Sequence, residues 1–287
     1  MNEYYSISKI NKNNDYSKLK PEDQKRIKLL RVPPNWNMVK VSKDLSSKVQ
    51  VTGIDARGRT QYIYHPIWTL FSKDVKYSKV NSIDFNKFNF IINKFSNKEL
   101  SNNFSKNYII SNMFILMRDL NIRVGNEKYF EENNSIGLCT LQKIHYIKQK
   151  NKNSDDIIHK FIFKGKKGII HEKTLKIEHI NFIENIIKIP GKSLFKYYDI
   201  KTCKNRKINS DDLNQFLKDN IDKNMSCKDI RTYCANEIFK KEYSRLLNSG
   251  ISQKKSRIEA TKLTACELGN TPKVCRDSYI DPTIYIE

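Results

Sequence analysis

The clearest apolar pattern along the chain repeats every three or four positions and predicts a helix with one buried face, formed by Ile110, Met113, Phe114, Met117 and Leu120. A longer helix, of about 20 residues, is predicted between the N-cap pair Ser226 and Asp229 and a stop signal at Gly250. A third helix is expected over residues 252–268, ending at Gly269. The larger, C-terminal part of the chain is therefore predicted to be mainly helical.

Two shorter patterns lie within this helical part. Phe161 and Phe163 precede the glycine-flanked segment 165–168, and further apolar residues follow, which predicts a β-hairpin with the glycines at its tip. Near the C-terminus, Thr271 is followed by proline, the chemistry of an N-cap and a first helical residue. A short last helix is expected there, with Tyr279 at or just past its end.

The N-terminal part follows a different pattern. Residues 1–20 are rich in asparagine, lysine and serine and are expected to be a loose leader, after which Pro21 opens a short amphipathic helix that Pro33 and Pro34 stop. Residues alternating in strand fashion then predict a small β-rich unit with a turn at 55–58, from Val39 and Val41, Val49 and Val51, and Tyr62 and Tyr64.

A hydrophilic stretch, residues 72–82, separates the two patterns and is the expected position of a domain boundary. The predicted fold class is α+β. A small β-rich N-terminal domain, residues 1–75, precedes a mainly helical domain, residues 76–287, with an inserted β-hairpin.

The charge of the chain narrows the class of partner. Fifty-three Lys and Arg against 31 Asp and Glu give a formal net charge of +22. A lysine- and asparagine-rich composition inherited from an AT-rich genome explains part of this excess. A surplus of this size still favours a polyanionic partner, because each neutralised phosphate releases counterions. Nucleic acid is favoured over a membrane surface, since no lysine-rich segment carries an apolar insertion face.

Other features of the sequence argue against several kinds of site. No apolar run of about 18 residues exists, so no membrane span is expected, and the start of the chain lacks the pattern of a secretory signal. The six cysteines show no Cys-x-x-Cys pair and no zinc spacing with the five histidines. The cysteines are expected to be buried or half-buried thiols in a reducing compartment, and no metal site is expected.

Four residues, Arg123, Lys166, Arg231 and Tyr279 in chain order, suit the reversible cleavage of a DNA strand. Cleavage without a cofactor must conserve the phosphodiester energy, so an enzyme nucleophile has to become a phosphoester, and a phenol such as Tyr279 suits this because a phenolate leaves readily. The fork-shaped, permanently charged guanidiniums of Arg123 and Arg231 suit the charge on the phosphate oxygens. Lys166 at the hairpin tip can protonate the departing 5′-oxygen, with Lys167 as an open alternative. None is informative alone, since the chain holds 15 tyrosines and 53 Lys and Arg.

In order and context these residues resemble the type IB DNA topoisomerases of the compact poxvirus, bacterial and giant-virus branch. The segments that carry the resemblance are 53–66, 122–129, 163–168, 228–233 and 268–279. The similarity extends from about Leu30 to Pro282, nearly the whole chain. It implies the catalytic fold shared by tyrosine recombinases and type IB topoisomerases.

The resemblance implies that Tyr279 is the nucleophile, that Arg123 and Arg231 contact the scissile phosphate, and that Lys166 is the general acid. It adds Asn270, because poxvirus-type enzymes carry histidine nine positions before the tyrosine, whereas bacterial and some giant-virus relatives carry asparagine. An amide can donate a hydrogen bond to a phosphate oxygen but cannot shuttle a proton, so Asn270 is expected to stabilise the oxyanion. A second departure is the tail: eight residues follow Tyr279, where relatives usually have a longer helical extension.

In the β-rich domain, Gln61, Tyr62 and Tyr64 match family residues on a strand that contacts DNA in the major groove. Amide and phenol groups can contact base edges or phosphates. The alternative, strand aromatics that pack across the sheet, is comparable for Tyr64 and weaker for Gln61. Lys228 is a secondary candidate for a supporting role at the DNA.

The resemblance implies an enzyme that relaxes supercoiled duplex DNA without ATP, metal or another cofactor. Cleavage of one strand would form a 3′-phosphotyrosyl intermediate, followed by strand rotation and religation. The implied partner is double-stranded DNA, held by a monomer that clamps the duplex, with no membrane, metal or nucleotide. The expected location is intracellular: a viral factory or virion for a viral protein, the cytoplasm or nucleoid for a bacterial one.

Two other function classes compete with this interpretation. Tyrosine recombinases share the Arg-Lys-Arg-Tyr chemistry, but they usually carry histidine at the position of Lys228 and a helical N-terminal DNA-binding domain. A non-catalytic basic DNA-binding protein has no reason to retain five catalytic residues in the correct order. Relaxation of a supercoiled plasmid without ATP or metal separates the three classes.

Overall fold

A four-stranded antiparallel sheet in the order β1-β2-β3-β4 forms the framework of the N-terminal part. The structure is a computed structural model that describes residues 4–9, 20–97, 104–151 and 155–286. The strands are β1 (Tyr4–Lys9), β2 (Asn37–Ser42), β3 (Val49–Ile54) and β4 (Thr60–Tyr64), and helix α1 spans Pro21–Leu29. Alternate strand residues point to one face and pack with the helix in a small core of Ile27, Trp36, Val39, Val41 and Val51.

Strand β1 shows that the expectation of a loose leader was wrong for residues 4–9. Tyr5 pairs with Val41 of β2, and its hydroxyl donates a hydrogen bond of 2.9 Å to Asp23 in α1. The hydrophobic pattern does not predict this strand, because residues 4–9 contain few apolar side chains. Their extended conformation depends on pairing with the neighbouring strand β2. The rest of the expected leader, residues 1–3 and 10–19, lies outside the described residues.

The three strands predicted from alternating residues are confirmed, and so is the turn between β3 and β4. Gly58 closes that turn with a hydrogen bond of 2.9 Å from its N–H to the Asp55 carbonyl, and its φ of +73° favours glycine. The stretch 72–82, expected to hold the domain boundary, is helical and belongs to α2 (Pro66–Ser82). The chain divides into two compact units, Met1–Lys79 and Val80–Glu287.

Helix α4 (Lys106–Leu120) is the central helix of the larger unit, and the five apolar residues predicted for its inner face are all buried. The helices before and after it are α3 (Phe85–Ser96), α5 (Glu127–Asn133), α6 (Ile177–Ile186), α7 (Ser210–Asn220), α8 (Cys227–Asn248), α9 (Gln253–Leu268), α10 (Pro272–Ser278) and α11 (Pro282–Ile286). Helix α4 packs against α3, α7 and α8. The predicted α+β class, with a helical second part, is confirmed.

Two small antiparallel sheets accompany these helices. The first consists of β5 (Tyr146–Lys150), β6 (Ile157–Lys164) and β7 (Ile170–Thr174), and the second of β8 (Lys196–Asp199) and β9 (Lys204–Lys207). Strands β6 and β7 are the predicted hairpin, in which Phe163 pairs with His171. Phe161 and Phe163 are buried in the main core of this unit, which anchors the hairpin to the helices.

The predicted ends of the long C-terminal helices are confirmed. The backbone N–H and the hydroxyl of Ser226 donate hydrogen bonds of 2.8 and 2.7 Å to the Asp229 carboxylate at the start of α8. Gly250 and Gly269, with φ of +78° and +58°, follow the ends of α8 and α9. Left-handed glycines stop helices in this way because no Cβ opposes the conformation.

A second apolar cluster joins α8 to α9 and α10 and includes Ala235, Phe239, Leu246, Ala260, Ala265, Leu268, Cys275 and Ile280. At the start of α10 the Thr271 hydroxyl accepts a hydrogen bond of 3.3 Å from the Val274 N–H. Tyr279 directly follows this helix, as predicted, and packs against the cluster half-buried. The position of the tyrosine is therefore set by the packing of three helices.

The expectation for the cysteines is wrong at two positions. All six thiols are free, but Cys203 and Cys266 are exposed, while the other four are buried. Cys203 lies in the turn of the β8–β9 hairpin, and Cys266 lies on the outer side of α9. The residue type favours burial, but burial also requires other side chains to pack over the position, and these two positions are exposed. Within the described ranges, no helix is long and apolar enough to span a membrane, and no three His, Cys, Asp or Glu residues group as metal ligands would.

Candidate active site

Arg231, in the second turn of α8, is buried, with 6% of its surface exposed. Its two terminal guanidinium nitrogens donate hydrogen bonds to the carbonyl oxygens of Asn121 and Leu268. Asn121 is the left-handed C-cap of α4, with φ of +54°, and Leu268 is the last residue of α9. The C-terminal end of a helix presents free carbonyl groups and partial negative charge. Within the described residues, the guanidinium is therefore held by carbonyl groups at two helix ends and not by a carboxylate.

Arg123 lies three residues after α4 in a tightly packed loop. Its carbonyl accepts a hydrogen bond of 2.8 Å from the Leu138 N–H. A Cβ atom at Gly137 would lie 2.5 Å from the Gly125 Cα, so the two chain segments can approach this closely only as glycines. The guanidinium donates a hydrogen bond to the side-chain oxygen of Asn270. The loop thus brings Arg123 to the segment that follows α9.

This contact determines which end of the Asn270 amide is available. A guanidinium carries only donors, so the amide oxygen faces Arg123 and the Nδ2 group is the remaining end. In the described part of the chain, Nδ2 is buried and has no acceptor. The Asn270 backbone N–H donates a hydrogen bond of 2.8 Å to the Ala265 carbonyl, which holds the residue in place. A buried donor without an acceptor is suited to an anionic oxygen.

The backbone around Tyr279 is tied to α8 by one side chain. Asn236 Nδ2 donates a hydrogen bond of 3.0 Å to the Tyr279 carbonyl, and Asn236 Oδ1 accepts one of 2.8 Å from the Asp281 N–H. Asp281 Oδ2 also accepts a hydrogen bond of 3.1 Å from Asn81 Nδ2. These contacts hold the backbone of the tyrosine segment in place.

Two guanidiniums determine the electrostatics of the Tyr279 phenol. The guanidinium carbon of Arg231 lies 5.5 Å from the centroid of the tyrosine ring. Burial raises the pKa of the phenol, but the charges of Arg231 and Arg123 and their hydrogen bonds to it outweigh burial, so that this pKa lies below its ordinary value of 10.0. Burial, followed by the charge of Arg123, lowers the pKa of Arg231 to about 10, which leaves it charged at neutral pH.

Lys166 lies at the tip of the β6–β7 hairpin, in the short helical turn Lys166–Gly168. Its side chain is exposed, and within the described ranges its amine is in no hydrogen bond or ion pair. Lys167, also exposed, adopts a left-handed conformation with φ of +63°. The structure places the base of the turn beside the Asn270 segment, because Gly165 and Gly269 both lie against the ring of His171. It does not bring either lysine amine into contact with the tyrosine.

The candidate DNA-reading residues of the N-terminal unit lie on the two faces of β4. Tyr62 and Tyr64 are exposed on one face, with their ring centroids 6.2 Å apart. Gln61 lies on the opposite face, where its amide donates a hydrogen bond of 3.0 Å to Asp55. In the larger unit, Lys228 is exposed in the first turn of α8. The tyrosine pair is thus open to a partner, whereas the Gln61 amide is engaged by the neighbouring turn.

Three residues of the site were not found from the sequence: Asn121, Asn236 and His171. Asn121 had an available signal, since asparagine directly after an apolar helix is a common left-handed C-cap. Asn236 carried no such signal, because its partner in the tyrosine segment lies 43 residues further along the chain. His171 follows the predicted hairpin tip, but its contact with Gly269 depends on how the hairpin packs on α9.

Comparisons with known proteins identify the family. The chain matches the family described as "Eukaryotic DNA topoisomerase I, catalytic core" over residues 71–279, and "Bacterial DNA topoisomerase IB, N-terminal domain" over residues 13–55. It is 33% identical over 272 residues to DNA topoisomerase 1B of Acanthamoeba polyphaga mimivirus, a match that covers 90% of this chain and 78% of the relative. DNA topoisomerase 1 of rabbit fibroma virus (strain Kasza) is 27% identical over 250 residues, with 83% and 71% covered. DNA topoisomerase 1B of vaccinia virus (strain Copenhagen) is 27% identical over 237 residues, with 81% and 70% covered.

The two family matches cover different parts of the chain. The catalytic-core match extends to Tyr279 and includes Arg123, Lys166, Arg231 and Asn270. The N-terminal match ends in the turn between β3 and β4. Because the core match covers most of the chain and the mimivirus relative is similar over 90% of it, this protein belongs to the type IB DNA topoisomerase family and is an isomerase of that class.

Proposed function

We propose that the protein relaxes supercoiled duplex DNA without ATP, metal or another cofactor, by cleaving one strand through a 3′-phosphotyrosyl intermediate, allowing it to rotate, and rejoining it. The observation that carries this proposal is the pairing of the Tyr279 phenol with two arginines that no carboxylate neutralises within the described residues. Arg123 and Arg231 are held by an amide oxygen and two helix-end carbonyls, so their charge is available to a phosphate.

Binding of the scissile phosphate uses the donors that the fold leaves open. The two guanidiniums contact its non-bridging oxygens, and the Asn270 Nδ2 group supplies a neutral donor beside Arg123. These groups are fixed before DNA binds, because hydrogen bonds to helix ends and to the Ala265 carbonyl already hold them. Donors that need no reorganisation stabilise the charge that develops in the transition state.

The chemical step exchanges one phosphoester bond for another. The Tyr279 oxygen attacks phosphorus, its proton is released to solvent, and the bond between phosphorus and the 5′-oxygen breaks as Lys166 protonates that oxygen. In the reverse step the 5′-hydroxyl attacks phosphorus and returns its proton to the Lys166 amine, and the bond between phosphorus and the Tyr279 oxygen breaks to release the phenolate. The same arginines that lower the pKa of the Tyr279 phenol stabilise it as a leaving group. No bond energy is lost, so no nucleotide is needed to rejoin the strand.

The proposed partner is double-stranded DNA, bound by one copy of the chain. The net charge of +22 supports this, since affinity for duplex DNA rises with the number of phosphates neutralised. Tyr62 and Tyr64 offer exposed phenols on one face of β4, Gln61 lies on the opposite face of the same strand, and Lys228 lies in the first turn of α8. Both units are proposed to contact the duplex, and strand rotation then occurs on the free side of the break.

Relaxation of a negatively supercoiled plasmid in EDTA, without nucleotide, tests the proposal. The expected product is a ladder of topoisomers that ends in relaxed circles, with no exchange of strands between duplexes. A requirement for ATP or a divalent cation would contradict the proposed chemistry. Joining of strands from two different duplexes as the main product would indicate a recombinase.

Sulfur in place of the 5′-bridging oxygen is expected to restore cleavage to a Lys166→Ala variant. A thiolate leaves without a proton, so an enzyme without its general acid should cleave this substrate at nearly the wild-type rate and fail on the ordinary one. Single-turnover cleavage of a labelled duplex measures both rates. Lys167→Ala is the matched control on the same turn, and sulfur rescue of that variant alone would move the role to Lys167.

Asn270→Ala is expected to slow cleavage less than Arg231→Ala, because it removes one neutral donor and no charge. Asn270→His should keep substantial activity, since imidazole can still donate a hydrogen bond to a phosphate oxygen. Single-turnover rates at saturating enzyme measure both effects, with exposed Asn107→Ala as the control on α4. An Asn270→Ala enzyme slower than Arg231→Ala would show that the amide contributes more than the buried guanidinium.

A further inference from the structure

His171 on β7 occupies the space between two segments that carry proposed catalytic groups. The residue is buried, with 9% of its surface exposed, and its ring stacks on Phe163 with ring centroids 5.1 Å apart. A Cβ atom at Gly165 would lie 2.5 Å from the ring, and one at Gly269 would lie 2.2 Å from it. The imidazole edge is therefore wedged between the residue before Lys166 and the residue before Asn270.

The chemistry of the ring fits a spacer better than a proton carrier. Burial, followed by the positive charges of Lys173, Arg123 and Arg231, lowers the pKa of His171 to about 4, so the ring is neutral at neutral pH. A neutral imidazole adds no charge to a site that already holds two guanidiniums. Lys173, on the same strand, is itself engaged by the Glu267 carbonyl at 2.8 Å.

The two segments that the ring separates are not equally anchored. Asn270 is held by Arg123 and by the Ala265 carbonyl. The hairpin turn is closed by hydrogen bonds from Gly165 N–H to the Ile169 carbonyl, at 2.7 Å, and from the Gly168 N–H to the Gly165 carbonyl, at 3.1 Å, both within the turn itself. Loss of the ring would therefore displace the turn that carries Lys166 more than the segment that carries Asn270.

We infer that His171 is a positioning residue that sets the distance of the Lys166 turn from the Asn270 segment by filling the space between Gly165 and Gly269. This inference rests on the proposed function, and specifically on Lys166 as the proton donor. His171 touches neither the phosphate nor the leaving oxygen in this role. His171 acts through Lys166, because the turn that carries this lysine packs against the imidazole ring at Gly165.

Substitution by alanine, with two substrates, separates positioning from a general structural role. His171→Ala should slow cleavage of the ordinary duplex by about 10- to 100-fold, the scale of a small misplacement of a reacting group. The 5′-sulfur substrate, which needs no proton donor, should be cleaved at nearly the wild-type rate. His171→Ala in a Lys166→Ala background should cause no further loss on the ordinary duplex. Thr174→Ala, exposed on the same strand, is the control.

A size exchange tests the geometry directly. Gly165 has φ of −91°, a conformation open to any residue, and the nearest atom to its added Cβ beyond the ring is the Ile169 carbonyl oxygen at 3.6 Å. Gly165→Ala should therefore slow the ordinary substrate through its clash with His171, and combining it with His171→Ala should restore part of the lost rate. Gly165→Ala that is harmless, or a double variant slower than both single variants, would contradict the inference.

The remaining outcomes also discriminate. Equal slowing of His171→Ala on oxygen and sulfur substrates would mean that the ring does not act through Lys166, and would overturn the inference even if the fold is intact. His171→Gln, which keeps a planar neutral side chain, should recover more of the oxygen-substrate rate than alanine does. If wild-type enzyme forms no covalent adduct with either substrate, the proposed function fails first, and that failure is visible without any His171 variant.

Discussion

A Tyr279→Phe enzyme is expected to form no covalent adduct with DNA and to relax no plasmid, while its affinity for a duplex stays close to that of the wild type. The variant lacks only the phenol oxygen that attacks phosphorus. The ring, which lies 5.5 Å from the Arg231 guanidinium carbon, remains to fill its place against the second apolar cluster. Adduct formation on a labelled duplex and fluorescence anisotropy measure the two properties separately.

Tyr243→Phe is the matched control for this change. Tyr243 packs against the same apolar cluster, and its buried hydroxyl has no hydrogen-bond partner in the described part of the chain. Removing that hydroxyl should leave both cleavage and relaxation unchanged. A Tyr279→Phe enzyme that still relaxes plasmid would mean that another group is the nucleophile.

Replacing Arg231 by alanine is expected to slow cleavage by several orders of magnitude. Loss of one fixed oxyanion donor typically costs about 2.7–4 kcal/mol, and Arg231 offers a fork with a full charge. Among the groups that lower the pKa of the Tyr279 phenol, the charge of Arg231 has the largest effect. Without the Arg231 charge, the pKa of the phenol should rise, and the increase of the cleavage rate with pH should therefore occur at a higher pH than in the wild type. Single-turnover rates measured across a pH series test both statements.

Two further variants separate the chemical from the structural part of the Arg231 effect. The guanidinium also satisfies the Asn121 and Leu268 carbonyls, so alanine should lower the melting temperature, and rates must be compared where both proteins are folded. Arg231→Lys keeps a charge but not the fork, and we expect it to recover only part of the rate. Arg245→Ala, at an exposed ion pair with Glu242 on the same helix, should leave the rate unchanged. Full activity of Arg231→Ala would remove this residue from the phosphate site.

The helical part of the fold was predictable because local signals specify it. Cap residues and left-handed glycines set the ends of α8, α9 and α10, and the apolar spacing of α4 marked its buried face. Strand β1 was not predictable in this way, since its conformation depends on pairing with β2, whose partner residues lie 28 to 38 positions further along the chain. The exposure of Cys203 and Cys266 likewise depends on which distant segments pack against them, and this is not encoded by the neighbouring residues in the sequence.

For the candidate site, the sequence indicated the residues but not the hydrogen bonds that hold them in place. Family context indicated the tyrosine, the arginines, the lysine and the asparagine. The hydrogen bond from Arg231 to the Asn121 carbonyl spans 110 positions, and that from Arg123 to Asn270 spans 147. Such contacts follow from how helix ends meet in three dimensions, which no spacing in the sequence encodes.

Identifying the amino acid that becomes joined to DNA is the direct test of Tyr279 as the nucleophile. A duplex labelled on the strand to be cut is mixed with the wild-type enzyme, the reaction is stopped with detergent, and the protease-digested adduct is analysed by mass spectrometry. We predict a peptide that contains Tyr279 linked to the 3′-phosphoryl end, and a released strand with a 5′-hydroxyl. An adduct at any other residue, or one on the 5′-phosphate, would contradict the proposed mechanism.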